Sequence, residues 1–153
     1  MRHTLGLESS PPCGYKLEVE RSGGRFLAGV AKRPGYGIPM GLALFAGIRV
    51  RDLTVARAWY ERLFGDPSFF PNSTEVVWEL ADDRSLYIKE DSGRAGGALI
   101  TVFVDDLDEV ISEIGSRGLE PAERETYSNG VRKATYRDDD GNEIGFGGAP
   151  RNE

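Results

Sequence analysis

The sequence predicts an α+β domain of two tandem βαβββ modules. Three observations carry this. One strand-turn-helix pattern is written twice: Val50/Val104, Asp52/Asp106 and Leu53/Leu107 align at a constant offset of 54 residues. Each copy is followed by three short strand-like runs. The tight-turn pairs Asn129-Gly130 and Asp140-Gly141 join the later runs closely, as hairpins require. A length of 153 residues allows one domain with a real core and excludes two ordinary ones.

Element by element, residues 42–50 read as a strand, and Arg51-Asp52-Leu53 turns into a helix with Asp52 as its N-cap acceptor. Ala56, Trp59, Tyr60 and Leu63 recur at helical spacing and form one apolar face, and Gly65 supplies a left-handed stop. Strands are expected over 68–72, 75–80 and 85–89. The second module opens with a strand over 99–104. Asp106 then caps a helix whose face carries Val110, Ile111 and Ile114, with Gly118 closing it. Strands over 122–126, 131–137 and 142–146 complete it. Asp138-Asp139-Asp140-Gly141-Asn142-Glu143 lacks the glycine and glutamate spacing of a calcium loop and reads as a hairpin turn.

Composition separates residues 1–39 from the rest. They hold four of the eight prolines and seven of the 20 glycines, which break any periodicity. This stretch is expected to be a disordered or irregular N-terminal extension, with residues 40–150 as the domain and Met40 as an alternative start. The extension carries six of the 19 Lys/Arg and three of the 25 Asp/Glu, which leaves 13 bases against 22 acids from Met40 onward. An acidic body repels phosphate backbones and excludes generic nucleic-acid binding. No apolar run is long enough to cross a membrane and no signal-peptide core is present, so a cytoplasmic protein with no membrane partner is expected. One cysteine (Cys13) and one histidine (His3) exclude a disulfide framework, cysteine-built zinc sites and most histidine catalysis. No phosphate loop, dinucleotide fingerprint or serine elbow is present, and no catalytic residue is assigned.

The segments Ile48-Arg49-Val50-Arg51-Asp52-Leu53 with Ala58-Trp59-Tyr60, then Val104-Asp105-Asp106-Leu107, then Arg137-Asp138-Asp139-Asp140-Gly141-Asn142-Glu143-Ile144 resemble the vicinal oxygen chelate superfamily. That superfamily includes glyoxalase I, extradiol dioxygenases and the bleomycin and fosfomycin resistance proteins. The resemblance implies two modules forming a curled mixed sheet around a shared pocket, and a homodimer in which paired chains complete the pockets. Metal-dependent members hold their ion with one ligand on the opening strand and one on the closing strand of each module. Carried over, those positions fall on Phe45, Leu99, Gly145 and a place near Glu90. Only Glu90 brings a ligating atom, so no metal and no cofactor is expected.

If Phe45 and Leu99 stand at former ligand positions, alternation puts Gly47 and Arg49, then Thr101 and Phe103, on the same concave faces. Leu44, Ala46, Ile48, Ile100, Val102 and Val104 then face the helices. Trp78 and Tyr87 are candidates for stacking on a flat ligand, with core packing as the alternative for Trp78. Tyr127 and Tyr136 either line the site or make cross-strand pairs. Glu90 either meets a cationic group or is a solvated strand end. The candidate ligand-binding set is Phe45, Arg49, Trp78, Tyr87, Leu99, Thr101, Phe103 and Tyr136. The expected function is metal-free binding of a small aromatic or amphipathic molecule, such as an antibiotic or metabolite. The rival is a metal-dependent lyase, isomerase or dioxygenase using unusual ligands such as Glu79, Glu90 and Glu143.

Overall fold

A computed structural model describes residues 43–151; the expected extension over 1–39 and the alternative start at Met40 lie outside the described residues. The first module runs β1 (Leu44–Val50), α1 (Leu53–Phe64), β2 (Phe69–Asn72), β3 (Glu75–Ala81) and β4 (Arg84–Glu90). The second runs β5 (Leu99–Phe103), α2 (Leu107–Ser116), β6 (Glu123–Thr126), β7 (Arg132–Arg137) and β8 (Glu143–Gly148). Each module builds its own four-stranded mixed sheet, ordered β1-β4-β3-β2 and β5-β8-β7-β6. The opening strand runs parallel to the closing strand in both, and the remaining pairs are antiparallel. The sheets curl without closing, so β1 and β5 are edge strands.

The two helices start the same way. Asp52 Oδ1 accepts the Val55 N–H at 3.0 Å, and Asp106 Oδ1 accepts the Glu109 N–H at 2.9 Å. The first helix has a second acceptor, Glu90 Oε2, 2.9 Å from the Leu53 nitrogen. Glu90 is the exposed end of β4, as one of the two readings has it, and its carboxylate also satisfies a helix N-terminus. Gly65, at φ 82°, ends α1 and donates to the Glu61 carbonyl at 2.9 Å.

A single apolar core joins the two modules. Ala56, Trp59, Tyr60 and Leu63 of α1 meet Ile48, Val50, Val76, Trp78, Leu86 and Ile88 of the first sheet. Leu107, Ile114, Ala134, Tyr136, Ile144 and Phe146 close it from the second. Phe64 bridges the modules, with ring centroids 6.1 Å from both Trp78 and Phe146. Burial of such side chains contributes roughly 1.5–3 kcal/mol each.

Two candidate site residues belong to this core instead. Trp78 is 2% exposed, packs on Tyr60 and Phe64, and donates its indole N–H to the Gly65 carbonyl at 2.9 Å. Tyr136 is 0% exposed and meets Phe146 edge-on. Strand alternation is the physical reason: Trp78 shares its face with Val76, and Tyr136 with Ala134, and those faces are turned to the helices. Leu44 is the converse case, an expected core residue that is exposed.

The acidic turn after β7 is a structural hub. Asp138 Oδ1 accepts the N–H groups of Asp140 and Asn142 at 2.9 and 2.8 Å. Asp138 Oδ2 accepts the Tyr60 hydroxyl at 2.9 Å and the Asn142 amide at 2.8 Å. Asn142 also donates to the Arg49 carbonyl at 3.0 Å and accepts the Ala98 N–H at 3.0 Å. The motif thus ties the β7–β8 turn to α1, to β1 and to the start of β5.

Candidate functional site

The faces of the sheets turned away from the core carry the remaining candidates. On the first sheet, Phe45, Gly47 and Arg49 of β1 stand opposite Ser85, Tyr87 and Lys89 of β4. Gly47 leaves room for the neighbouring ring: a Cβ there would lie 2.5 Å from Tyr87 Cζ and Oη, so the phenol lies flat across the strand. Arg49 is ion-paired with Asp91 at 3.4 Å, and Lys89 with the buried carboxylate of Glu75 at 2.8 Å. Phe45, Arg49 and Tyr87 therefore share one face.

On the second sheet, Leu99, Thr101 and Phe103 of β5 stand opposite Glu143, Gly145 and Gly147 of β8. Leu99 and Phe103 are 70% and 73% exposed. The Phe103 ring covers Gly147, where a Cβ would come within 2.7 Å of it. Lys133 of β7 lies across Gly145 beside the Thr101 hydroxyl. Arg137 and Glu143 pair at 2.7 Å at the end of the face. Thr101 and Phe103 also line a groove of about 420 Å³ with Leu44, Ala46, Leu80, Arg84 and Leu86 of the first module. That groove lies between the edge strands and is mostly apolar, a composition suited to small molecules.

The strand register corrects one position carried over from the superfamily. Thr101 pairs with Gly145 in the second module, and its counterpart Gly47 pairs with Tyr87 in the first. The closing-strand equivalent of Gly145 is therefore Tyr87, not Glu90. The four positions at which relatives would grip an ion hold Phe45, Tyr87, Leu99 and Gly145. They bring one phenol oxygen between them, whereas a divalent cation needs several N, O or S donors converging at about 2.0–2.5 Å. The residues present do not fit a metal ion. Among the described residues no cluster of three His, Cys, Asp or Glu groups could hold one elsewhere.

Lys133 was not among the candidates. Its signal lay in the alternation, since it shares parity with Thr135 and Arg137 against the buried Ala134 and Tyr136. Tyr127, at the mouth, is exposed, with its hydroxyl 3.4 Å from Glu125.

These paired modules and the Arg-Asp-x-Asp-Gly-Asn turn define a vicinal oxygen chelate fold. A glyoxalase/bleomycin resistance protein from Catenulispora acidiphila of known crystal structure is 52% identical, the match covering 72% of this chain and 100% of that one with a TM-score of 0.69. The chain belongs to the glyoxalase/bleomycin resistance protein family. More distant likeness extends to a bleomycin-binding protein solved with bleomycin (22% identity, 74% of this chain and 100% of that one, TM-score 0.57). A lactoylglutathione lyase from Agrobacterium tumefaciens is also similar (19% identity, 72% and 96%, TM-score 0.57). Those two share the fold. No family model matches the chain, and no curated protein sequence does.

Proposed function

We propose that the protein is a cytoplasmic holder of a small aromatic or amphipathic molecule, an antibiotic or secondary metabolite, which it binds without a metal and without turnover. The observation that carries this is the content of the four former ligand positions, Phe45, Tyr87, Leu99 and Gly145. Rings, an alkyl group and a bare backbone offer contact area in place of coordination. The bleomycin-bound relative has the same fold and supports a holding role. Two copies would complete each pocket, the face of Phe45, Arg49 and Tyr87 in one chain opposing the face of Leu99, Thr101 and Phe103 in its partner.

Sequestration requires only affinity, and a ligand at about 100 times its Kd adds about 2.7 kcal/mol of stability. The test is calorimetric titration of the full chain with a panel of aromatic antibiotics that includes bleomycin, alongside metal analysis after dialysis. Binding of an unaltered compound to protein carrying no stoichiometric Zn, Ni, Mn or Fe is the expected result. A retained metal together with consumption of the compound would instead mark an enzyme. Arg49→Ala should weaken binding about tenfold with little change in melting temperature, because its side chain is exposed and its pairing with Asp91 contributes at most about 1 kcal/mol.

A further inference from the structure

Gly145 stands where the superfamily's closing-strand ligand would project, and its missing side chain is replaced by a neighbour's. A Cβ at Gly145 would lie 2.5 Å from Lys133 Cε, 3.5 Å from Lys133 Nζ and 3.2 Å from Thr101 Oγ1. The lysine stem therefore fills the volume in which a ligating side chain would begin. Register shows how it gets there: Lys133 pairs with Gly147 and Thr135 with Gly145, so the chain leans one pair along the face. Phe103 lies over Gly147, two residues along the same strand from Gly145 and on the same face.

Among the described residues Lys133 makes no ion pair, while Glu143, on the same sheet, is held by Arg137 at 2.7 Å. Glu125 stands across the ladder from Lys133 without reaching ion-pair distance, and its carboxylate accepts the Tyr127 hydroxyl at 3.4 Å. Lys133 is half-buried, and an incoming carboxylate would give its ammonium a charge-assisted hydrogen bond.

We propose that Lys133 supplies the fixed positive charge of this face in place of a metal ion, and that the face takes an aromatic ligand through a carboxylate bordered by Lys133 Nζ and Thr101 Oγ1, with its ring against Phe103 and Leu99. This rests on the holding role proposed above and specifies the ligand class. The acidic body repels polyanions, while one local cation accepts a single carboxylate.

The test uses three probes of one shape, 1-naphthoate, 1-naphthalenemethanol and 1-naphthylmethylammonium, titrated into the isotope-labelled full chain and followed by amide chemical shifts. The acid should bind about tenfold tighter than the ammonium probe, with shifts at Thr101, Phe103, Gly145 and Gly147. Lys133→Met should erase that preference while the alcohol's affinity stays within about twofold, and Lys133→Arg should keep it. Equal binding of acid and ammonium probes, an undiminished preference in Lys133→Met, or shifts confined to other surfaces would overturn the assignment while leaving the holding role intact. Failure of all three probes to bind would overturn both.

Discussion

Tyr60 and Asp138 form the most constrained pair in the described domain. Burial first, then the negative charge of Asp138 and the hydrogen bond to it, push the Tyr60 phenol well above its ordinary value. The folded chain thus retains a proton that the unfolded chain releases near pH 10. Above that pH the native state binds more protons, so stability falls as pH rises. Tyr60→Phe should cost roughly 1–3 kcal/mol at neutral pH, because a buried carboxylate oxygen loses a donor. It should also flatten the alkaline fall in stability by about 1.4 kcal/mol per pH unit. Urea melts of the two proteins between pH 8 and 11 check both effects; parallel curves would show that the phenol titrates normally. Tyr136 is a contrasting residue: among the described residues its buried hydroxyl has no partner, and burial likewise pushes its phenol up.

The opening turns of the two modules look alike and are held differently. Each helix has its aspartate cap, worth about 1 kcal/mol, but α1 adds Glu90 at the Leu53 N–H. Glu90→Ala should therefore destabilise by about 1 kcal/mol and Asp52→Ala/Glu90→Ala by about twice that, measured by chemical denaturation. A fully stable Glu90→Ala protein would return that carboxylate to the list of groups available for ligands. The same strand end shows why part of the site was illegible. The 54-residue offset holds from β1 through the helix starts because that stretch has equal length in both modules. It widens to 58 between Tyr87 and Gly145, since the connections between later strands are longer in the second module. Counting from the turn pointed to Glu90, and only the ladder register leads to Tyr87. Element types and the helix caps were readable from local chemistry. Trp78 was not: a tryptophan on a strand fits either face, and the neighbouring Val76, Val77 and Glu75 are all buried, so no clean alternation marks its side.

At the scale of the molecule, the described domain leaves large apolar groups uncovered on its outer faces and edges. Leu99, Phe103 and Leu44 are all exposed, a pattern that marks an interaction surface. Pairing of two copies through these faces is therefore expected, with a solution mass twice the 16.8 kDa of one chain by light scattering. Leu99→Asp/Phe103→Asp should return the mass to that of a single chain while leaving the melt cooperative. A wild-type protein that stays monomeric at high concentration would mean that each pocket is built within one chain. No helix of the described residues is long and apolar enough to cross a membrane.

The side chain of Asn142, wholly buried, grips the Arg49 carbonyl of the first half and the Ala98 amide of the second while resting on Asp138. Neither half can open without severing this clasp and the Phe64 bridge together. Slow-exchanging backbone protons in both sheets should consequently share one protection factor, so the duplicated halves, although each repeats the other's plan, have lost the independence of separate folding units.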